Sequence, residues 1–146
     1  MTSVVSSRGR DVRYGRDDET WDRMVEEGTL YLEDVARDAD LTSYSALNAE
    51  LVHGPGCRPF DFEQAADRAA VGYLLGRIVD HNYSRIGLML SALVRHIDAN
   101  EAGPGFSQLA QQMNLLDKNA SRAAKREFWI GHVAQLHALY RGPSAS

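Results

Sequence analysis

Apolar residues recur at every third or fourth position along most of the chain, as they do on one face of an α-helix. This spacing predicts an amphipathic helix of roughly twenty residues from Asp17, with acidic residues at its start, where the helix dipole favours them. It also predicts a short helix from Tyr44 to about His53. A glycine inside a helix lowers helix stability by about 1 kcal/mol relative to alanine. A break in the first helix at Gly28 is therefore an alternative to one continuous helix.

Capping residues and turns place three further helices. Asp61 with Gln64 resembles a capping box, and residues 65–79 behind it carry the clearest helical pattern in the chain. Helical spacing returns after the turn Gly103-Pro104-Gly105, and Ser121 caps the last helix.

The stretch Ile86–Ile97 is nearly all apolar, and its period does not distinguish a buried strand from a buried helix. The pattern as a whole predicts a mostly α fold. We expect a single compact domain of about five helices, with at most one short strand or small sheet around residues 88–97.

Length and composition fit one ordinary globular domain: the chain has 146 residues, of which 44% are hydrophobic and 25% charged. Residues 1–16 lack an apolar period and are predicted to be a disordered basic tail before a single helical domain of residues 17–142. The chain has no apolar run of about 18 residues and no apolar signal segment, so we expect a cytoplasmic protein without a membrane partner. The single cysteine, Cys57, excludes an internal disulfide framework.

Charge is distributed unevenly along the chain. Four arginines against one aspartate give residues 1–16 a net charge of +3, and ten acidic residues against two arginines give residues 17–40 a net charge of −8. The acidic body disfavours broad binding to a phosphate backbone. The basic arm is either a solvated tail or a contact for a groove or an acidic partner. Its candidate partner-binding residues are Arg8, Arg10, Arg13 and Arg16.

Two glycine motifs are candidates for ligand contact. Gly72 and Gly76 lie on one face of the best-defined helix, where we expect tight packing against a neighbouring element, with ligand approach as the alternative. The turn at residues 103–106 opens a helix, and the free backbone N–H groups of such a turn can hold an anion, although a plain turn has the same sequence. The candidate anion-binding residues are Gly103, Gly105, Phe106 and Ser107.

The remaining reactive side chains form no known motif. The five histidines lack metal-ligand spacing, and the chain has no Walker, Rossmann or nucleophile-elbow sequence. We therefore expect no cofactor, no metal ligand and no catalytic residue.

The chain resembles known proteins in the order of four motifs, which are Ser43-Tyr44-x-x-Leu47-Asn48, Gly72-x-x-x-Gly76, Leu90-Ser91-Ala92-Leu93-Val94 and Gly103-Pro104-Gly105-Phe106. Over roughly residues 40–140 the chain resembles a group of small bacterial proteins of unknown function. It is also similar to the DNA-binding part of alkylguanine alkyltransferases, which has a tyrosine-bearing short helix, a second helix and an extended core segment. That family's nucleophile motif, Pro-Cys-His-Arg, does not occur here, and Cys57 lies in the wrong part of the order. The resemblance therefore implies no alkyl transfer and at most a winged-helix-like arrangement.

Three functions remain open. The first is a regulatory binding module that docks a nucleic-acid or protein partner without catalysis, using the basic arm together with Tyr44 and Arg68. The second is a self-assembling adaptor, a homo-oligomer in which the acidic residues 17–40 meet basic segments of another subunit. The third is an enzyme on a small anionic substrate held at the turn of residues 103–106. In that enzyme Arg95 or Arg85 lies nearby and His96 is the base.

Overall fold

The computed structural model describes residues 12–53, 58–96, 101–102 and 104–141, which form a mostly helical fold with two small sheets. This confirms the predicted fold class. The α-helices of the described residues are α1 (Asp18–Arg37), α2 (Tyr44–His53), α3 (Ala65–Ile86), α4 (Pro104–Gln112) and α5 (Arg122–Arg141). The strands are β1 (Val12–Arg13), β2 (Arg16–Asp17), β3 (Thr42–Ser43), β4 (Val94–His96) and β5 (Glu101–Ala102), and a 3₁₀ helix covers Leu90–Leu93.

Helix α1 has the predicted position and length. The Asp17 carboxylate caps it by accepting a hydrogen bond of 2.8 Å from the backbone N–H of Thr20. The helix runs through Gly28 without a break. A Cβ at Gly28 would lie 2.7 Å from Cδ1 of Ile78, so the glycine lets α1 and α3 pack closely.

The predicted capping box before α3 is wrong. The helix begins at Ala65, and the Gln64 side chain makes no capping hydrogen bond. The Asp61 carboxylate instead accepts the backbone N–H of Glu63 at 3.1 Å, which folds residues 61–64 into a turn of their own. Because Asp61 bonds so close along the chain, it caps this turn and not the helix.

The apolar stretch 86–97 is resolved into two short elements. All four residues of the 3₁₀ helix are buried, and strand β4 follows directly. Two side chains of α5 hold the segment: the Trp129 indole donates to the carbonyl of Ala92 at 2.7 Å, and Nε2 of His132 accepts the backbone N–H of Met89 at 2.7 Å. The stretch thus contains both alternatives that the sequence left open: a buried 3₁₀ helix that packs against the last helix, and a short strand after it.

Strand β4 brings the starts of two helices together. It pairs in parallel with β3 and antiparallel with β5, so that Ser43, Arg95 and Ala102 form one rung of the sheet. Neighbouring strands lie about 4.8 Å apart, which places Ser43 about 10 Å from Ala102. Helix α2 begins directly after Ser43, and α4 begins two residues after Ala102. The two helices therefore follow the two outer strands of the sheet, one on either side of β4.

The boundary of the predicted basic tail is wrong for residues 12–16. Strands β1 and β2 form a hairpin whose two loop residues, Tyr14 and Gly15, have φ angles of 54° and 77°, as a two-residue hairpin turn requires. The hairpin is held by the Trp21 indole, which donates to the carbonyl of Arg13 at 3.0 Å. Arg16 is only 4% exposed and donates to the carbonyl of Arg58 at 2.9 Å. Residues 12–16 thus belong to the folded body.

Candidate functional site

An open groove of about 970 Å³ runs along one face of α3 and is bounded by the first turns of α2 and α4. Its floor includes Ser91 of the 3₁₀ helix. The walls carry aromatic rings, small residues and a few polar side chains. The lining includes Tyr44, Ser45, Phe62, Arg68, Gly72, Tyr73, Gly76, Arg77, Asp80, Ser91, Gly105, Phe106, Gln108 and Gln112.

The glycine pair of α3 faces this groove. A Cβ built on Gly72 or Gly76 would have no atom within 4 Å among the described residues outside its own helix backbone and neighbours. The expected tight packing of this pair against another element is therefore wrong; Gly28 of α1 has that role. The two glycines together with Ala69 leave a trough along the helix, because three successive positions of the same face lack long side chains.

Aromatic side chains form much of the groove wall. Tyr44 and Phe62 meet at a centroid distance of 6.3 Å. The loop that carries Phe62 is fixed by Asn48, whose amide both donates to and accepts from the backbone of Phe60, at 3.0 Å and 2.9 Å. Burial raises the pKa of the Tyr44 hydroxyl above its ordinary value, so this group is a neutral donor at physiological pH.

Phe106 forms part of the wall at the start of α4. Its ring lies 5.7 Å from the Phe128 ring and 5.7 Å from the His132 ring, both on α5. His132 in turn binds the backbone N–H of Met89, two residues before Ser91. These contacts fix the first turn of α4 relative to the floor of the groove.

Charge on the groove wall is sparse. Arg68 donates to the carbonyl of Phe62 at 2.7 Å, and the other N–H groups of its fork have no acceptor among the described residues. Arg77 is paired with Asp22 of α1 at 2.9 Å, and that hydrogen bond raises the pKa of the guanidinium. Asp80 is the acidic side chain of the wall.

The hydroxyl of Ser91 is buried without a partner. The residue is 4% exposed, and Oγ has no hydrogen bond to any described residue. Burying a hydroxyl without a hydrogen bond costs on the order of 1–3 kcal/mol, so native structures leave few such groups. Ser91 also lines the groove. This orphaned donor therefore belongs to the floor of an open cavity.

Two separately predicted sites come together in this groove. Tyr44 and Arg68, expected to bind a partner, share its walls with Gly105 and Phe106, expected to bind an anion. Ser107 lies in the first turn of α4 and is half-buried, outside the groove lining.

The other candidates lie elsewhere. Arg16 is a buried residue of the N-terminal hairpin, which contradicts its predicted role as a partner contact. The exposed Arg13 of the same hairpin lies over the Tyr73 ring at 5.6 Å. Arg85 pairs with Glu33 at 3.0 Å and is not among the groove residues. Strand β4 includes Arg95 and His96, and Arg95 is not among the groove residues. Three candidates, Arg8, Arg10 and Gly103, lie outside the described residues, as does Cys57.

Sequence reasoning missed several groove residues, chiefly Ser91, Phe62, Arg77, Gln108 and Gln112. A serine inside an apolar run was the available signal for Ser91, because a polar residue in a buried segment needs a partner. The others depend on which helices meet, which spacing alone does not reveal.

No family model, curated protein or solved structure matches the chain. In the described segments, no three His, Cys, Asp or Glu side chains cluster as metal ligands would. None of the helices described above combines the length and apolar character needed to cross a bilayer.

Proposed function

We propose that this protein is a binding module that docks a segment of a protein partner in the groove along α3. The observation that carries the proposal is the bare glycine face of the helix. Gly72 and Gly76 leave the α3 backbone open to a ligand over two turns, in a position where none of the described residues fills the space.

The lining of the groove suits a peptide segment. Tyr44, Phe62, Tyr73 and Phe106 offer flat apolar surface, while Gln108 and Gln112 offer amide donors and acceptors along the opposite wall. Protein interfaces are enriched in aromatic residues at the centre with a polar rim. A volume of about 970 Å³ is at the upper end of the range of small-molecule pockets, and an open trough of this size also fits several residues of an extended or helical chain.

The charges favour a protein partner over duplex DNA. A duplex presents a dense row of phosphates, and proteins that bind it use an array of cations. The groove supplies Arg68 and Arg77 against Asp80, and Arg77 is already paired with Asp22. The strongly acidic α1 packs against α3, which further weakens attraction to a polyanion.

The adaptor hypothesis receives less support from the contacts of α1. Three of its acidic side chains already form ion pairs within the chain. Asp22 pairs with Arg77, Glu33 with Arg85 and Asp34 with Arg37. Fewer acidic groups are then left to attract a basic surface of a second subunit.

A matched pair of variants tests the proposal. Gly76→Leu fills the trough, and Gly131→Leu places the same side chain on α5 at another half-buried helical glycine with open space beside it. Both exchanges remove a glycine from a helix interior, so both variants are expected to fold. A phage-displayed library of random twelve-residue peptides is selected in parallel on the wild type and the two variants.

We expect the same sequences to be enriched on the wild type and Gly131→Leu, and to be lost on Gly76→Leu. Absence of enrichment on the wild type, or equal enrichment on all three proteins, contradicts the proposal. A fluorescently labelled mixed-sequence duplex is the control ligand. If it binds at low salt and Gly76→Leu abolishes that binding, the partner is nucleic acid.

A further inference from the structure

One row of groove residues on α3 has opposite charges at its two ends. The row repeats every four residues, and all its members line the groove: Arg68, Gly72, Gly76 and Asp80. At 1.5 Å per residue, Arg68 and Asp80 lie about 18 Å apart along the helix axis. The row thus consists of a cation, two positions without side chains, and a carboxylate.

Both charges are exposed and lack an ionic partner among the described residues. The Arg68 guanidinium donates to the carbonyl of Phe62, which is a neutral acceptor. Asp80 has no hydrogen bond to any described residue. Arg77 between them differs, because Asp22 of α1 pairs with it at 2.9 Å. The helix dipole opposes a cation in the first turn of α3, so helix stability does not explain the position of Arg68.

The groove has the width of an extended chain. Its volume of about 970 Å³, spread over about 18 Å of helix, gives a cross-section of about 54 Å². An extended chain occupies about 48 Å², from a strand spacing of about 4.8 Å and a sheet spacing of about 10 Å. An α-helix with its side chains is about 10–12 Å wide and occupies about 80–110 Å². An extended segment of about five residues therefore fills the row.

The α4 wall suits the main chain of such a segment. Gln108 and Gln112 lie one turn apart, about 6 Å along the helix, and neither has a hydrogen bond to any described residue. Each amide has donors and an acceptor, and the N–H and C=O groups on one edge of an extended chain recur about every 6.8 Å. A docked helix would offer these amides little, because its main-chain groups are bonded internally.

The Ser91 hydroxyl is an independent indication that a polar group is missing from the groove. The residue is 4% exposed and lines the groove, and Oγ has no hydrogen bond to any described residue. Buried hydroxyls in native proteins are normally paired, and an extended main chain has unpaired donors and acceptors of its own.

From these observations we infer that the groove takes an extended segment of a partner protein that has an acidic side chain at Arg68 and a basic side chain at Asp80. The two charged residues of the segment are about five positions apart, and the residues between them lie over Gly72 and Gly76. This pairing rests on the proposed function, because it specifies the segment that docks in the groove.

The twelve-residue peptides selected on the wild type give the first test. We expect the enriched sequences to share an acidic and a basic residue about five positions apart. Enriched sequences that lack this pair, and that are still lost on Gly76→Leu, leave docking intact and overturn the charge pairing. Absence of any enrichment contradicts the proposed function itself.

Double-mutant cycles then assign each charge of an enriched peptide to its partner. The acidic residue of the peptide is replaced by the corresponding amide, its basic residue is replaced by glutamine, and the protein variants are Arg68→Gln and Asp80→Asn. On the wild type each peptide change should weaken binding about fivefold in fluorescence anisotropy. Loss of the acid should have almost no effect on Arg68→Gln, and loss of the base almost none on Asp80→Asn.

The crossed combinations are the internal control of these cycles. At 0.15 M salt the screening length is about 8 Å, so charges about 18 Å apart interact little. Loss of the peptide acid should therefore still cost about fivefold on Asp80→Asn, and loss of the base should cost the same on Arg68→Gln. Equal losses in all four combinations overturn the pairing.

Two further variants separate a local charge from other effects. Arg68→Lys keeps the cation and should keep the dependence on the peptide acid; loss of that dependence overturns the pairing. Arg126→Gln removes an exposed arginine of α5 outside the groove and should leave the affinity unchanged. A loss equal to that of Arg68→Gln would show attraction to net charge alone and overturn the pairing.

The conformation of the bound peptide completes the test. In NMR spectra of an isotope-labelled peptide on the wild type, we expect strong sequential Hα–HN contacts, which are typical of an extended chain. Contacts between residues three apart would show a docked helix and overturn the inference. Sedimentation of the protein without peptide is the last measurement: dimers that Arg68→Gln abolishes would make a second copy the occupant and overturn the partner segment.

Discussion

His132 is a buried histidine with a structural hydrogen bond. It is 5% exposed, and Nε2 accepts the backbone N–H of Met89, so the proton of the neutral ring is on Nδ1. Burial lowers the pKa of the ring from 6.5 to about 4. Protonation of Nε2 would remove the acceptor and place a charge between two phenylalanine rings.

This histidine makes stability depend on pH in a defined window. Between pH 6.5 and about 4 the unfolded chain binds a proton that the folded protein does not. The free energy of unfolding should therefore fall by up to about 3 kcal/mol as the pH falls through that window, and level off below it. His132→Gln should lack this component in urea unfolding measured from pH 7 to 4. Parallel pH profiles for the two proteins would contradict the assignment.

Some properties of single residues can be predicted from the local sequence, whereas others depend on which element lies opposite in the fold. Ser121 caps its helix as expected, because a cap depends on residues within one turn. Gly28 and Gly76 look alike in sequence and have opposite surroundings: one contacts Ile78, and the other faces an open groove. That difference is set by which helix lies opposite, and no local pattern encodes it.

At the level of elements, the N-terminal hairpin is the main departure from the predicted organisation. Its two strands have two residues each, too short for an alternating pattern to be visible. Tyr14-Gly15 was the available signal, since a two-residue hairpin loop requires positive φ at both positions. The hairpin is fixed by residues distant in sequence, Trp21 and Arg58.

Gly15→Ala tests whether the hairpin belongs to the folded body. Gly15 has a φ of 77°, and a Cβ there would lie 2.8 Å from Nη2 of Arg58. Gly87→Ala is the control, with a φ of 69° and open space. The left-handed backbone costs each alanine variant about 1 kcal/mol, and the contact with Arg58 should make Gly15→Ala the more destabilised in urea unfolding. A mobile tail would instead leave Gly15→Ala as stable as the wild type.

At the scale of the whole molecule, one polar cluster joins three helices. Glu33 of α1 is 8% exposed and accepts from Arg85 of α3 at 3.0 Å and from the Tyr140 hydroxyl of α5 at 2.8 Å. Burial, together with the hydrogen bond to Glu33, raises the pKa of Tyr140 to about 12. Asn82 extends the cluster by donating to Thr29 at 3.0 Å.

Tyr140→Phe removes one hydrogen bond to the buried carboxylate and should lower the free energy of unfolding by about 1–2 kcal/mol. Tyr83→Phe is the control, because the Tyr83 hydroxyl has no hydrogen bond to any described residue. Urea unfolding at pH 7 compares the two variants with the wild type. Equal stability of both variants would show that the Glu33 cluster does not hold the helices together.

The mostly α fold follows from periodicity, because each long helix has its own apolar stripe, whereas the groove arises from the arrangement of the helices. Tyr44 and Gly105 are 61 positions apart, and their helices follow the two outer strands of a three-stranded sheet of very short strands. Tyr44 and Gly105 could each be recognised in the sequence as candidate binding residues. Their position in one groove depends on a strand pairing that the sequence alone does not specify.

The claim that the groove binds a protein segment is tested most directly by one affinity ratio. A peptide selected on the wild type is labelled, and its dissociation constants for Gly131→Leu and Gly76→Leu are measured by fluorescence anisotropy. Because a leucine at position 76 occupies the trough, we predict binding at least about tenfold weaker than to Gly131→Leu, a loss of about 1.4 kcal/mol. Equal dissociation constants would place the peptide elsewhere and contradict the account.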